Sequence, residues 1–251
     1  MLVIPENSTK SRRLARAVQP SPNVSSVATR RTTRKPRVVR KAPLRTSAAA
    51  LLAFGLIAAI DEPTALDRTL FDWAARRYDR RLELAQWPIE ILGLPGAYIP
   101  IAILIARHLR QRHLRGGASI TKAAFAGWLA VRLSRLLIHR PRPPRPPHRR
   151  PKSESTFPSG HTAGVTTLAL VAARILRDEQ ILTTGQAAAL GLGWPLVTAA
   201  NRVYVREHWL TDILGGLALG VSVGAAVLAS HFHAREAWSK PQRTRRAQGT
   251  A

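Results

Sequence analysis

The chain has 251 residues, with 39 Lys or Arg against 14 Asp or Glu, a formal charge of +25 and no cysteine. That length fits one domain with tails, and the lack of cysteine excludes a disulfide framework or a thiolate metal site. The charge raises nucleic acid as a partner, but its distribution speaks against one. Twelve of the 39 basic residues precede Thr46, and the rest gather in short runs between apolar stretches, as they do around membrane spans. A mean hydropathy close to zero therefore averages charged tails with an apolar middle.

Residues 1–45 are basic and rich in Ser, Thr and Pro, with Glu6 the one acid. This composition predicts a disordered tail. It resembles a transit peptide, and Arg12-Arg13 faintly resembles a twin-arginine signal; an arm lying on anionic lipid headgroups is the simpler account. Leu44 to Ile60 predicts a first membrane span. Leu66 to Leu84 has helical apolar spacing but many charges, and predicts an amphipathic helix in the membrane interface. Trp87 to Leu109 predicts a second span, in which Gly93, Pro95 and Gly96 are tolerated. The third, Ile120 to His139, carries Arg132 and Arg135; ionisable groups in a span usually face a polar cavity.

The proline-rich loop from Arg140 to Lys152 follows, then spans over Pro158 to Leu176, Thr184 to Ala200 and His208 to Ser230. The fifth is expected to kink at Gly191-Leu-Gly-Trp-Pro195. The expected fold class is all-α: a six-transmembrane-helix bundle over residues 46–234 with an interfacial amphipathic helix, a disordered basic N-terminal tail and a basic tail over 235–251. Six spans put both termini on one side. With the N-terminal arm inside, the basic residues fall mostly on the cytoplasmic side, as the positive-inside rule requires. The expected protein is then a multi-pass plasma (inner) membrane protein with the 140–157 and 201–207 loops on its outer face. The six basic residues of the first loop oppose the rule locally; ligand binding explains that, and an inverted topology is the competing explanation.

In Asn201-Arg-Val-Tyr-Val-Arg-Glu-His208-Trp-Leu-Thr-Asp212 the last histidine and aspartate are four residues apart. On a helix they would share a face. A carboxylate beside an imidazole fixes its tautomer and supports the charge it develops, and Arg202 points to an anion such as phosphate. A surface ion pair is the plain alternative. Two more segments fall on the same side of the expected bundle: Arg135-x6-Arg142-Pro143 and Phe157-Pro-Ser-Gly-His161.

Together the three segments resemble the type 2 phosphatidic acid phosphatase superfamily, which includes lipid phosphate phosphatases, undecaprenyl-diphosphate phosphatases and vanadium haloperoxidases. The family pattern is Lys-x6-Arg-Pro, then Pro-Ser-Gly-His, then Ser-Arg-x5-His-x3-Asp. Arg135 stands in the lysine position and Asn201 in the serine position. The resemblance implies His208 as nucleophile, Asp212 as its partner, His161 as general acid, and Arg135, Arg142, Ser159, Gly160 and Arg202 as phosphate ligands. The chemistry agrees. Phosphoryl transfer needs positioning and charge neutralisation, a helix start at Ser159-Gly160 welcomes an anion, and a histidine pair can supply nucleophile and acid.

These features describe a metal-independent integral membrane phosphatase acting on a lipid phosphate: a polyprenyl diphosphate, phosphatidic acid or phosphatidylglycerol phosphate. Neither a cofactor nor a metal is expected, since no His-Glu-x-x-His pattern occurs. The expected partners are the lipid phosphate, the membrane and anionic headgroups at the basic tails, without nucleic acid. A non-catalytic phospholipid binder or transporter with a degenerate phosphate site is the alternative, and a vanadium-dependent oxidation a third possibility. Arg140, Arg145, Arg149, Arg150 and Lys152 read as solvated or headgroup-bound, with the extra loop arginines favouring more than one phosphate. His139 and His148 read as bystanders. His108, His113, His231 and His233 read as interfacial residues at the opposite end.

Overall fold

In a computed structural model, which describes residues 41–144 and 155–248, every regular element is helical. The expectations for residues 1–40, and for Arg145, His148, Arg149, Arg150 and Lys152, lie outside the described residues. The helices are α1 (Lys41–Ala58), α2 (Ala65–Arg77), α3 (Arg80–Ala85), α4 (Trp87–Leu92), α5 (Pro95–Gln111), α6 (Gly117–Leu137), α7 (Gly160–Asp178), α8 (Thr184–Ala188), α9 (Trp194–Tyr204) and α10 (Leu210–Gln248).

Helix α7 is the centre, buried from Thr162 to Ile175 apart from Leu170 and Arg174, with α6, α9 and α10 packed around it. The approach of α10 is close enough to need glycine. A Cβ on Gly220 would lie 2.6 Å from the Thr166 side chain and 2.7 Å from the Ala163 carbonyl. Thr167 hydrogen-bonds across this seam to the Gly220 carbonyl at 3.2 Å. Helix α1 lies on α10, where Ser47 and Ser222 exchange hydrogen bonds of 2.9 and 3.0 Å with each other's carbonyls. Small and hydroxylated side chains at such contacts let backbones approach.

Two of the expected elements are broken, each for a local reason. The 66–84 segment divides at Tyr78, whose backbone is extended, and Asp79 caps α3 through the Arg81 N–H at 2.7 Å. Tyr204 of α9 holds this break: its hydroxyl accepts from the Asp79 N–H at 3.0 Å and donates to the Arg77 carbonyl at 3.2 Å. The 87–109 segment divides into α4 and α5 because Leu94, preceding Pro95, is extended. The expected kink at 191–195 is a π-helical turn over Ala189–Gly193. In addition, α10 does not end near Ser230 but continues to Gln248, through much of the stretch expected as a tail.

Among the described residues one helix is long and apolar enough to cross a membrane, Leu210–Ala237; Ala42–Ala58 is apolar but shorter. Large apolar side chains nevertheless stand exposed on several helices, including Leu52 and Leu56 on α1, Leu104 on α5, and Leu136 and Leu137 on α6.

Candidate active site

The C-terminal parts of α6 and α9, the N-terminal ends of α5 and α7 and the segment just before α10 bound a cavity of about 480 Å³. Arg135, Arg142, Gly160, His161, Arg202 and His208 all line it. Ser159 and Asp212, fully buried, do not; they stand behind the wall. The three sequence segments therefore meet in one place.

The expected His208–Asp212 contact exists in altered form. His208 precedes α10 instead of lying on it, and Asp212 is the third residue of that helix. Its Oδ2 accepts the Trp209 N–H at 2.8 Å, satisfying a donor that the helix start leaves open. His208 Nδ1 is 3.7 Å from Oδ2, and the hydroxyl of Thr156 fills the gap, 3.0 Å from Nδ1 and donating to Oδ2 at 2.7 Å. With Nδ1 engaged, Nε2 is the ring nitrogen left for chemistry. Burial pushes the imidazole down to about 4; the Asp212 carboxylate opposes the shift, while the charges of Arg142 and Arg135 add to it.

Arg140 departs most from expectation. It is not solvated but buried, 4 % exposed. Its Nη1 donates to Asp212 Oδ1 at 3.0 Å and to Thr211 Oγ1 at 3.2 Å. Its Nη2 donates to the carbonyls of Ile57, at 3.2 Å, and Ile60, at the C-terminal end of α1. A cation on these terminal carbonyls complements the negative end of the helix. The guanidinium also lies over the Phe157 ring at 4.4 Å.

The three motif arginines on the cavity wall each have a protein anchor. Arg135 donates to the Pro158 carbonyl at 3.2 Å, and its Nη2 lies 3.3 Å from where a Gly160 Cβ would be. Glycine is what lets the guanidinium lie on that backbone. Arg142 donates to the Glu207 carbonyl at 3.0 Å and stands 3.6 Å from its carboxylate. Arg202 donates to Asn201 Oδ1 and stands 3.6 Å from Glu90. Asn201 also donates to Gln86, so it orients Arg202 and ties α9 to the start of α4. His161 donates from Nε2 to the Glu90 carbonyl at 3.2 Å, with its ring against Gly93. The Ser159 hydroxyl pairs with that of Thr162 at 3.0 Å.

Thr156, Arg140, Glu207, Glu90 and Asp67 are the residues that sequence reasoning missed. Asp67 caps α2 and accepts from the Thr211 N–H at 2.9 Å and its hydroxyl at 3.1 Å, joining α2 to the start of α10. Thr156 and Glu207 had one available signal, their position beside motif residues. Among the other residues read as bystanders or interfacial, His139 is exposed, whereas His231 is buried and hydrogen-bonded to Ser119 at 3.0 Å.

The family model of the PAP2 superfamily matches residues 116–236, which include all three segments. Just under half of the chain is thus similar to the PAP2 superfamily. Over 84 residues it is 34 % identical to a lipid A 4'-phosphatase of Porphyromonas gingivalis, covering 33 % of this chain and 32 % of that protein. Over 77 residues it is 32 % identical to the undecaprenyl-diphosphatase BcrC of Bacillus subtilis, covering 29 % of this chain and 33 % of that one. The chain thus spans about a third of the length of the curated relatives it matches. A crystal structure of a transmembrane PAP2-type phosphatidylglycerolphosphate phosphatase from Bacillus subtilis superposes with a TM-score of 0.65 at 22 % identity, covering 72 % of this chain and 94 % of the other. The PAP2 fold is therefore shared well beyond the matched segment.

Two outcomes follow from this geometry. Arg140→Met leaves the Asp212 carboxylate buried without its cation and should cost about 3–5 kcal/mol of stability, measured by denaturant unfolding in detergent. The same change at exposed Arg110 should cost less than about 0.5 kcal/mol; equal effects would contradict the buried role of Arg140. The His208 ring, whose NMR signal is identified by its loss in His208→Gln, should stay neutral as pH falls through 6.5 and take up its proton only near 4. Titration near 6.5 would contradict the burial of the imidazole.

Proposed function

We propose that this PAP2 protein is an integral membrane phosphatase that hydrolyses the phosphate monoester or diphosphate of a lipid through a phosphohistidine on His208. One observation carries the proposal: a single cavity gathers two histidines and three arginines from three separate motifs. A cavity serving binding alone would need the arginines but not a buried neutral imidazole held by Thr156 and Asp212.

In this mechanism Arg135, Arg142 and Arg202 bind the equatorial oxygens of the phosphoryl group, with charge-assisted hydrogen bonds supplying both orientation and neutralisation. The Gly160 backbone adds the positive end of α7, and Ser159 supports that turn. His208 Nε2 attacks phosphorus while the Thr156–Asp212 pair holds the ring and supports its developing charge. His161 protonates the departing oxygen, then takes a proton from the water that cleaves the phosphohistidine. No metal takes part.

The lipid substrate class draws support from the relatives, a lipid A 4'-phosphatase and an undecaprenyl-diphosphatase. The membrane setting draws support from the span Leu210–Ala237 and from the exposed apolar side chains of α1, α5 and α6. We assign the remaining apolar helices to the same bilayer, making a six-span bundle whose cavity opens at the outer face of the plasma (inner) membrane. The basic tails lie against anionic headgroups on the other side.

The test is phosphate release from a panel of lipid phosphates by detergent-purified protein in EDTA. Release should persist in EDTA. His208→Ala should lower it by at least about a thousandfold and His161→Ala by about a hundredfold or more. Binding of lipid phosphates without release by the intact protein would instead favour a degenerate, non-catalytic site.

A further inference from the structure

We propose that Arg132 binds the inner phosphate of a lipid diphosphate, so that the cavity selects diphosphate over monophosphate headgroups. This rests on the phosphatase reading above and narrows it. Among the described residues four arginines line the cavity, and three of them belong to the motifs. A transferring phosphoryl group presents three equatorial oxygens, which Arg135, Arg142 and Arg202 can each engage. The fourth guanidinium, Arg132, stands one turn before Arg135 on α6, displaced by about 4.5 Å along the helix axis. That displacement is toward the middle of the bundle, because the His208 site lies at the C-terminal end of α6.

The wall continues in the same order. Beyond Arg132 comes Trp128, another turn along α6, with Leu94 and Pro95 of the α4–α5 break also on the lining. Trp128 and Leu94 are 40 % and 42 % exposed, so the cavity passes from cationic to apolar as it leaves the site. The order His208 and Arg135, then Arg132, then Trp128 corresponds to outer phosphate, inner phosphate and hydrocarbon chain.

Arg132 then acts on the leaving group. His208 Nε2 forms a bond to the outer phosphorus while the bond from that phosphorus to the bridging oxygen breaks. The bridging oxygen departs with the bonding pair as part of the lipid monophosphate and takes a proton from His161. Water then attacks the phosphohistidine, returns a proton to His161 and releases inorganic phosphate and free His208. Charge accumulates on the inner phosphate in the first step, where Arg132 offsets it.

The experiment compares methylenediphosphonate with methylphosphonate as ligands in thermal unfolding of detergent-purified wild type, Arg132→Gln and Arg132→Lys. Wild type should bind the diphosphonate at least about tenfold more tightly; Arg132→Gln should erase most of that ratio and Arg132→Lys should restore part of it. Equal binding of both ligands by wild type, or a ratio unchanged in Arg132→Gln, would overturn the assignment. A parallel arm measures kcat/KM for farnesyl diphosphate and farnesyl phosphate, whose ratio should collapse in Arg132→Gln. Selective binding by wild type that Arg132→Gln erases, without hydrolysis of either lipid, would support the subsite and contradict the phosphatase reading, which separates the two claims.

Discussion

The buried carboxylate of Asp212 is the point through which the motif end of this bundle is assembled. Its Oδ1 takes Arg140 and its Oδ2 takes the Thr156 hydroxyl and the Trp209 N–H. Each partner brings a different piece of chain: the loop after α6, the segment before α7, and the start of α10. Its backbone carbonyl adds a fourth tie, accepting from the Ser159 N–H at 3.0 Å. A carboxylate without these partners would not stay charged in such a place. The same group therefore closes the fold locally and orients His208.

Arg140 extends this constraint to the first helix. By holding the last carbonyls of α1 and the carboxylate of Asp212 with one guanidinium, it fixes the end of α1 against the start of α10. Asp67 does the corresponding work from α2, through Thr211. The site is thus framed by elements that contribute nothing to the cavity wall. Glu207, which lines the cavity, and Glu90 stand beside Arg142 and Arg202 at 3.6 Å each. They hold the guanidiniums in the wall and offset their mutual repulsion while leaving room for an anion.

Linear spacing made much of this legible. The three segments carry their phosphate-site pattern within short windows, and helical periodicity placed them at one end of a bundle. Arg140 was hidden because it sits in a run of arginines that look alike in composition; only the tertiary structure separates the one against Asp212 from its neighbours. The His208–Asp212 spacing suggested a helical pair, but a helix start between them turns the direct contact into one completed by Thr156. Breaks at Tyr78 and Leu94 were missed for a related reason: apolar periodicity continues across them, and the extended backbone is set by Asp79 capping and by Pro95.

The central claim is that His208, held through Nδ1, forms a covalent bond to phosphorus. The most direct measurement is to mix the detergent-purified protein with a lipid phosphate, quench at alkaline pH within the first turnover and map phosphorylated peptides by mass spectrometry. The account predicts an acid-labile phosphoryl group on His208 that appears before phosphate release and is absent in His208→Ala. Turnover in which no phosphorylated histidine forms, or in which the label resides on another residue, would contradict it.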